Sequence, residues 1–266
     1  LRLANALLGL TWSVMFSVGL ALGGLATEYL SPSGAILLDA MTFVAAALVA
    51  STLPALKPQI GEDGPPQVGF ADMHRAWRYV AKRPQLMANV FAKTPPIVFN
   101  AGAWVTLNLV AGHRLSPLSV AVAIGVMQCI RAVGTGIGPL MPERILPRDP
   151  RIGSLVAFSG MALFVGFDAI WCTVVALALW GIGQGHNWVI ATAEVQAATP
   201  DHLLGRVTAI DLCLLSLGGA LASVLAGWVC DLFEDPTAGA WITFGLATLG
   251  WFYCLALSKK SPVDAP

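Results

Sequence analysis

The sequence predicts an all-α membrane protein with eight transmembrane helices, and three observations carry that reading. Of 266 residues, 56% are hydrophobic and only 11% are charged, with mean hydropathy +0.73. Soluble domains carry about 25% charged residues, so the deficit points to lipid as the solvent. The second observation is a series of apolar stretches near the roughly 20 residues that a helix needs to cross a bilayer. The third is the pattern of Gly, Pro and Ser breakers and charged loops between them.

In chain order the stretches run from Ala4 to Ala26, Ser33 to Leu53, Met87 to Gly112 and Leu118 to Met141. They continue from Ile152 to Phe167, Ile170 to Ala197, Val207 to Cys230 and Ala238 to Leu257. In hydrocarbon every backbone N–H and C=O must find its partner inside the segment, which makes each stretch a helix. Thr27 to Pro32 and His113 to Pro117 read as tight hairpin loops, and the turn at Asp168 joins antiparallel neighbours. Pro95-Pro96 should kink the third span and free backbone carbonyls for a ligand or a neighbouring helix.

One long polar stretch, Pro54 to Pro84, separates two spans from six. Its IGEDGPPQVG run is a breaker-rich loop. Beyond it Phe70, Met73, Trp77 and Val80 recur at helical spacing with His74, Arg75 and Arg78 between them. This is an amphipathic helix expected to lie on the inner membrane face with its basic side toward headgroups, the alternative being a solvated connector.

Lys and Arg fall on one side of the spans: Arg2, Lys57, Arg75, Arg78, Lys82, Arg83, Arg144, Arg148, Arg151, Arg206, Lys259 and Lys260. The opposite loops carry Arg114 with Glu28, Asp168, Asp231, Glu234 and Asp235. The bias places both termini and the linker in the cytoplasm.

Net charge of zero excludes nucleic acid as a partner, because phosphate binding needs clustered Lys and Arg. Five cysteines lie singly in apolar stretches and read as packing residues, so no metal is expected. No HExxH, GxSxG, CxxC or P-loop pattern occurs, so the chain is expected to be no enzyme and to use no cofactor.

Glycine clusters inside the spans, at Gly134, Gly136 and Gly138, at Gly181, Gly183 and Gly185, and at Gly218, Gly219 and Gly227. Membrane helices use glycine to bring backbones close.

Several of these residues resemble motifs of the major facilitator superfamily. Gly19-Leu20-Ala21-Leu22-Gly23-Gly24 is similar to the Gly-Pro-x-x-Gly-Gly core of its fifth-helix antiporter motif, with Leu20 in place of the proline and Met15 in place of an earlier glycine. Pro139 to Arg148 resembles a second copy of its cytoplasmic loop signature. There Glu143-Arg144 stand at the acid–Arg pair and Arg148 at the later base, while Pro139 and Leu146 replace glycines. Pro200, Gly205-Arg206-Val207, Gly219, Gly227 and Asp231 resemble the tenth-to-eleventh helix region of drug and siderophore efflux members.

The resemblance implies a partial fold of that family. Residues 1–53 correspond to the last two helices of an N-terminal half and 54–86 to the inter-half linker. Residues 87–258 correspond to a complete six-helix C-terminal half and 259–266 to a cytoplasmic tail. Beginning at Leu1 rather than Met, the chain reads as a fragment without helices one to four. Its expected partners are the bilayer, a small-molecule substrate, and the missing helices or another chain that supplies them. The location implied is a bacterial inner membrane. The function implied is export of a small amphipathic compound by proton antiport with alternating access between two halves. The rival is a truncated, non-transporting membrane module or assembly subunit.

Ionisable groups at membrane depth are costly and each is a functional hypothesis. Arg131, sharing a helical face with Gln128, Thr135 and Gly138, lines the cavity to meet an anionic group, or else forms a structural pair. His186 is a candidate for proton coupling or a helix-to-helix hydrogen bonder; beside it Gln184, Asn187 and Glu194 share a stripe, and His186 and Asn187 are expected to line the cavity. Glu194 either couples protons or braces against Arg206 or Arg144. Asn100, Trp104 and Asn108 form a face that lines the cavity or packs. Asp39 is a helix-packing polar residue or a proton site, and Lys93 is expected to snorkel to the near surface.

Overall fold

The computed structural model describes residues 2–54 and 69–259, and among these residues every regular element is helical. The elements are α1 (Arg2–Ser51), α2 (Phe70–Ala81), α3 (Pro84–Phe91), α4 (Thr94–Arg114) and α5 (Val120–Ile137), which ends in a 3-10 turn (Gly138–Leu140). There follow α6 (Pro150–Gly166), α7 (Ile170–Ala198), α8 (Asp201–Phe233) and α9 (Ala238–Ser258). Among the described residues four segments are long and apolar enough to cross a membrane by length and composition: Leu7–Ser51, Val120–Leu140, Asp201–Phe233 and Ala238–Ser258. Pro150–Gly166 is a shorter apolar helix. The IGEDGPPQVG loop, apart from Gly69, and the tail beyond Lys259 lie outside the described residues.

The first two spans form one element broken at Ser31, whose φ of 70° and ψ of 164° interrupt the helix directly before Pro32. Beyond the break nearly every side chain from Ile36 to Leu53 is exposed, so the tight antiparallel hairpin expected at Thr27 to Pro32 is not packed. Before the break α1 lies along α5, with Gly24 against the Ala121 carbonyl and Gly125 against that of Leu20. The other expected hairpin is a turn after α4 that includes the cis Ser116–Pro117 peptide, with His113 still helical.

Helices α4, α5, α6, α7 and α9 share one core around Phe99, Met127, Met161, Phe164 and Trp180, all fully buried. With no water to expel, packing in lipid relies on close backbone approach. A close crossing joins α5 to α7: a Cβ on Gly181 would collide with the Arg131 carbonyl, and one on Gly185 with that of Thr135. The four-residue spacing puts both glycines on one face of α7, so the expected glycine packing sets the height and rotation of Arg131. At the far end of the bundle Arg114 donates to the Phe164 carbonyl at 2.7 Å and pairs with Asp168 at 2.7 Å. That clamp holds α4 to the α6–α7 turn.

Helix α2 docks on α8 through a stripe other than the apolar one expected. Asp72, Ala76 and Val80 are buried, the last two in a cluster with Leu203, Val207 and Ile210 of α8, and Asp72 pairs with Arg206 at 3.1 Å. Val80 therefore leaves the apolar stripe it was expected to share with Met73 and Trp77, which stay exposed. The buried stripe at positions 72, 76 and 80 has the i, i+4, i+8 spacing of a helix docked on a neighbour.

Close approach at Gly181 yields a test. Gly181→Val is expected to destabilise the protein by about 1–3 kcal/mol for an overpacked contact, seen as a lower thermal unfolding temperature in detergent. Gly227→Ala, where a Cβ meets nothing within 4 Å, is expected to be neutral in the same assay.

Candidate functional site: a cation-lined cavity

A cavity of about 460 Å³ opens between α1, α4, α5 and α7. Its wall includes Trp12 and Phe16 of α1, Asn100 and Trp104 of α4, Arg131 and Thr135 of α5, and Gln184, Trp188 and Thr192 of α7. This volume lies in the range of small-molecule sites, about 300–1,000 Å³.

Arg131 is 5% exposed. Its Nε donates to Gln128 Oε1 at 2.7 Å, one turn earlier on α5. The guanidinium carbon lies 4.7 Å from the Trp104 ring centroid, 5.3 Å from Trp180 and 5.4 Å from Phe16. Ring faces attract cations, most strongly where water is excluded. Among the described residues no carboxylate pairs with it, so aromatic faces and one amide hold its charge.

The neighbouring amides are oriented by chemistry. Trp180 Nε1, which can only donate, reaches Asn100 Oδ1 at 3.1 Å and Gln184 Oε1 at 3.0 Å. Both amides thus spend their oxygens on Trp180 and keep their nitrogens as donors beside the cavity they line. With Arg131 the wall offers three donor groups within an aromatic enclosure, an arrangement that suits an acceptor-rich or anionic ligand.

Of the other residues expected at the cavity, Gln128 is fully buried behind Arg131, with its Nε2 lacking a partner. Asn187 does not face the cavity. Its Nδ2 donates to the carbonyls of Ala92 at 3.0 Å and Pro150 at 2.9 Å and to Ser154 Oγ at 3.0 Å. Pro96 has no N–H for the Ala92 carbonyl, so Asn187 takes that duty, and the carbonyl freed by the Pro95-Pro96 break goes to a neighbouring helix. His186 also lies off the cavity, packed at Gly153 of α6, with Nδ1 buried and without a hydrogen-bond partner.

Glu194 is half-buried near the end of α7, while Asp39 is exposed on the second half of α1. Glu143 and Arg148 form an exposed pair at 3.3 Å, and Arg144 and Asp231 are exposed. Arg206 reaches Asp72 of α2. Gly24 packs against α5, whereas a Cβ on Gly19, Gly23 or Gly205 would meet nothing within 4 Å.

Lys93 corrects the expectation of a snorkelling side chain. It is 2% exposed and forms a buried ion pair with Asp211 of α8, itself 3% exposed. Its Nζ also reaches Thr192 Oγ1 at 3.2 Å and lies 4.9 Å from the Trp188 ring centroid. Thr192 and Trp188 belong to the cavity wall, so the pair sits one layer behind it, where α3 breaks into α4. Asp211 escaped the sequence reading, although a lone acid inside the apolar run from Val207 to Cys230 was its signal.

Apolar membrane-crossing helices around a cavity with fixed polar donors define an integral membrane protein of the transporter class. The profile of the Major Facilitator Superfamily matches residues 1–210, and the chain belongs to that family. Its members are transporters, not enzymes. Curated relatives include proteins named enterobactin exporter EntS from Salmonella choleraesuis, Salmonella paratyphi A and Salmonella typhi. Each is 26% identical over 144 residues, covering 52% of this chain and 35% of the relative. The chain thus matches about a third of their length. Among solved structures, the fucose:proton symporter FucP of E. coli superposes with a TM-score of 0.56 at 14% identity, over 88% of this chain and 56% of the symporter. That likeness speaks to the fold.

The buried pair gives a prediction with a built-in control. Lys93→Met or Asp211→Leu alone strands a charge and is expected to cost about 3–5 kcal/mol. The double variant, which removes both charges, is expected to recover most of that loss in denaturant unfolding in detergent micelles.

Proposed function

We propose that the chain contributes the cavity of a secondary active transporter for a small amphipathic compound bearing an anionic or acceptor-rich group. The observation that carries this reading is Arg131, a buried cation without a paired carboxylate among the described residues, at the wall of an aromatic-lined cavity. Asn100 and Gln184 add donors, and Trp104 and Phe16 supply apolar faces for the rest of the ligand.

The chain is read as eight spans: residues 1–53 as two helices of an N-terminal half, 54–86 as a cytoplasmic linker, 87–258 as a six-helix half and 259–266 as a tail. Both termini are assigned to the cytoplasm of a bacterial cell by the distribution of Lys and Arg. Export is the preferred direction, supported by the export for which the curated relatives are named, with proton antiport as the coupling. His186, Glu194 and Asp39 remain the residues proposed to carry it, with Glu143, Arg144, Arg148 and Arg206 as gating positions. Alternating access then moves α1 against the remaining helices and exposes Arg131 to each side in turn.

The test is substrate efflux and binding in vesicles. A charge-assisted hydrogen bond is worth about 1.5–3 kcal/mol, so Arg131→Ala is expected to weaken binding by about 10- to 100-fold. Arg131→Lys should keep part of the affinity. Unchanged efflux in Arg131→Ala at normal expression removes Arg131 from the site. Vesicles that carry the protein yet move no compound whatever its charge would favour the non-transporting module.

A further inference from the structure

Helix α2 has two usable faces, and the protein covers one. Asp72, Ala76 and Val80 are spent on α8. Turning around the helix from Val80, the next positions are Met73, 40% exposed, and Trp77, 39% exposed. Beyond them His74 and Arg78 are exposed, and the Arg75 side chain is 75% accessible. Lys82 follows directly after the helix and is exposed. At 100° per residue His74 and Arg78 border this apolar stripe, which lies beside the stripe that docks on the protein, while Lys82 and Arg75 lie farther round and Arg75 turns back to Asp72 at 3.7 Å.

The depth of α2 agrees with the chemistry. It docks on α8 between Leu203 and Ile210. The exposed apolar stripe of α8, Leu212, Leu217, Leu221, Val224 and Trp228, begins within a turn of that contact. On a membrane-crossing helix such a stripe lies at membrane depth, against lipid or a further apolar helix. Helix α2 therefore lies at the boundary where this apolar surface gives way to polar surface, the level at which Trp rings and Lys or Arg side chains meet headgroups.

We propose that the open face of α2 is a binding surface for anionic lipid headgroups of the inner leaflet. Trp77 and Met73 enter the acyl boundary, Arg78 contacts the phosphates at its border, and Lys82 reaches them from the end of the helix. The Asp72–Arg206 ion pair fixes the roll of the helix, because turning Asp72 outward would break that pair and bring a carboxylate toward the anionic surface. The leaflet assignment rests on the proposed orientation of the chain; the surface itself does not depend on the substrate reading.

The experiment uses the whole chain in nanodiscs of phosphatidylcholine alone or mixed with phosphatidylglycerol, with bromine-labelled acyl chains as quencher. Trp77 emission is taken as the difference between wild type and Trp77→Phe. The expected result is quenching of the Trp77 component, stronger in phosphatidylglycerol discs. Arg78→Gln and Lys82→Gln should each reduce the preference for the anionic lipid about fivefold, since one cation near such a surface contributes the equivalent free energy. A Met73→Trp, Trp77→Phe variant moves the reporter by one turn and should also be quenched. A Trp77 component untouched by the quencher in both discs overturns the proposal, and so does a lipid preference that survives both neutralisations. Substrate is absent throughout, so failure here leaves the Arg131 reading standing, and failure of that reading leaves this result intact.

Discussion

A permanent positive charge on α5 governs the arrangement of the helices around it. Placing an arginine at the centre of a membrane helix costs about 2.5–3.5 kcal/mol on insertion scales. The bundle offsets that cost without an opposite charge among the described residues. Trp104, Trp180 and Phe16 come from three different helices to face the guanidinium, and Gln128 takes Nε. This requires α7 to approach α5 closely, which Gly181 and Gly185 permit because any Cβ there would strike the α5 backbone. Trp180, next to Gly181, then reaches both Arg131 and the two amides it orients. Small residues, aromatic faces and the donor-rich wall are thus consequences of one buried cation.

A second buried charge is handled by the opposite strategy. Lys93 sits where two prolines stop a helix, and it is neutralised by Asp211 rather than by ring faces alone. The break also frees the Ala92 carbonyl, which Asn187 satisfies while holding α6 through Pro150 and Ser154. These contacts tie α3, α4, α6, α7 and α8 together directly behind Thr192 and Trp188. The cavity therefore has one wall that is rigidly supported, and a facing side, α1, held mainly by its packing on α5.

Much of the architecture was legible because composition and hydrophobic span length are dominated by the solvent, and the solvent here is lipid. The glycine pattern likewise forecast helix contacts, and the proline pair forecast freed carbonyls. Depth of burial for Arg131, with Asn100 and Trp104 beside it, followed from position within a span. Direction around the helix was less legible. Asn187 lies only about 60° from Gln184 yet turns toward α6, and His186, about 200° from Gln184, lies across the helix from it. The amphipathic reading of α2 placed Val80 with Trp77, because sequence alone does not say which of two adjacent stripes meets protein. Asp211 and Lys93 are 118 residues apart, so their pairing had no local signal, and Lys93 alone read as a snorkelling group.

The central claim is that the cavity beside Arg131 is open to water-borne ligands and carries a positive potential. The direct measurement is thiol modification of Asn100→Cys in native membranes, in a background whose five cysteines are replaced, comparing anionic and cationic methanethiosulfonates of similar size. The anionic reagent is expected to react faster, with the difference collapsing in Arg131→Gln. Equal rates for the two reagents, or no labelling of Asn100→Cys at all, would contradict a cation-lined, ligand-accessible site.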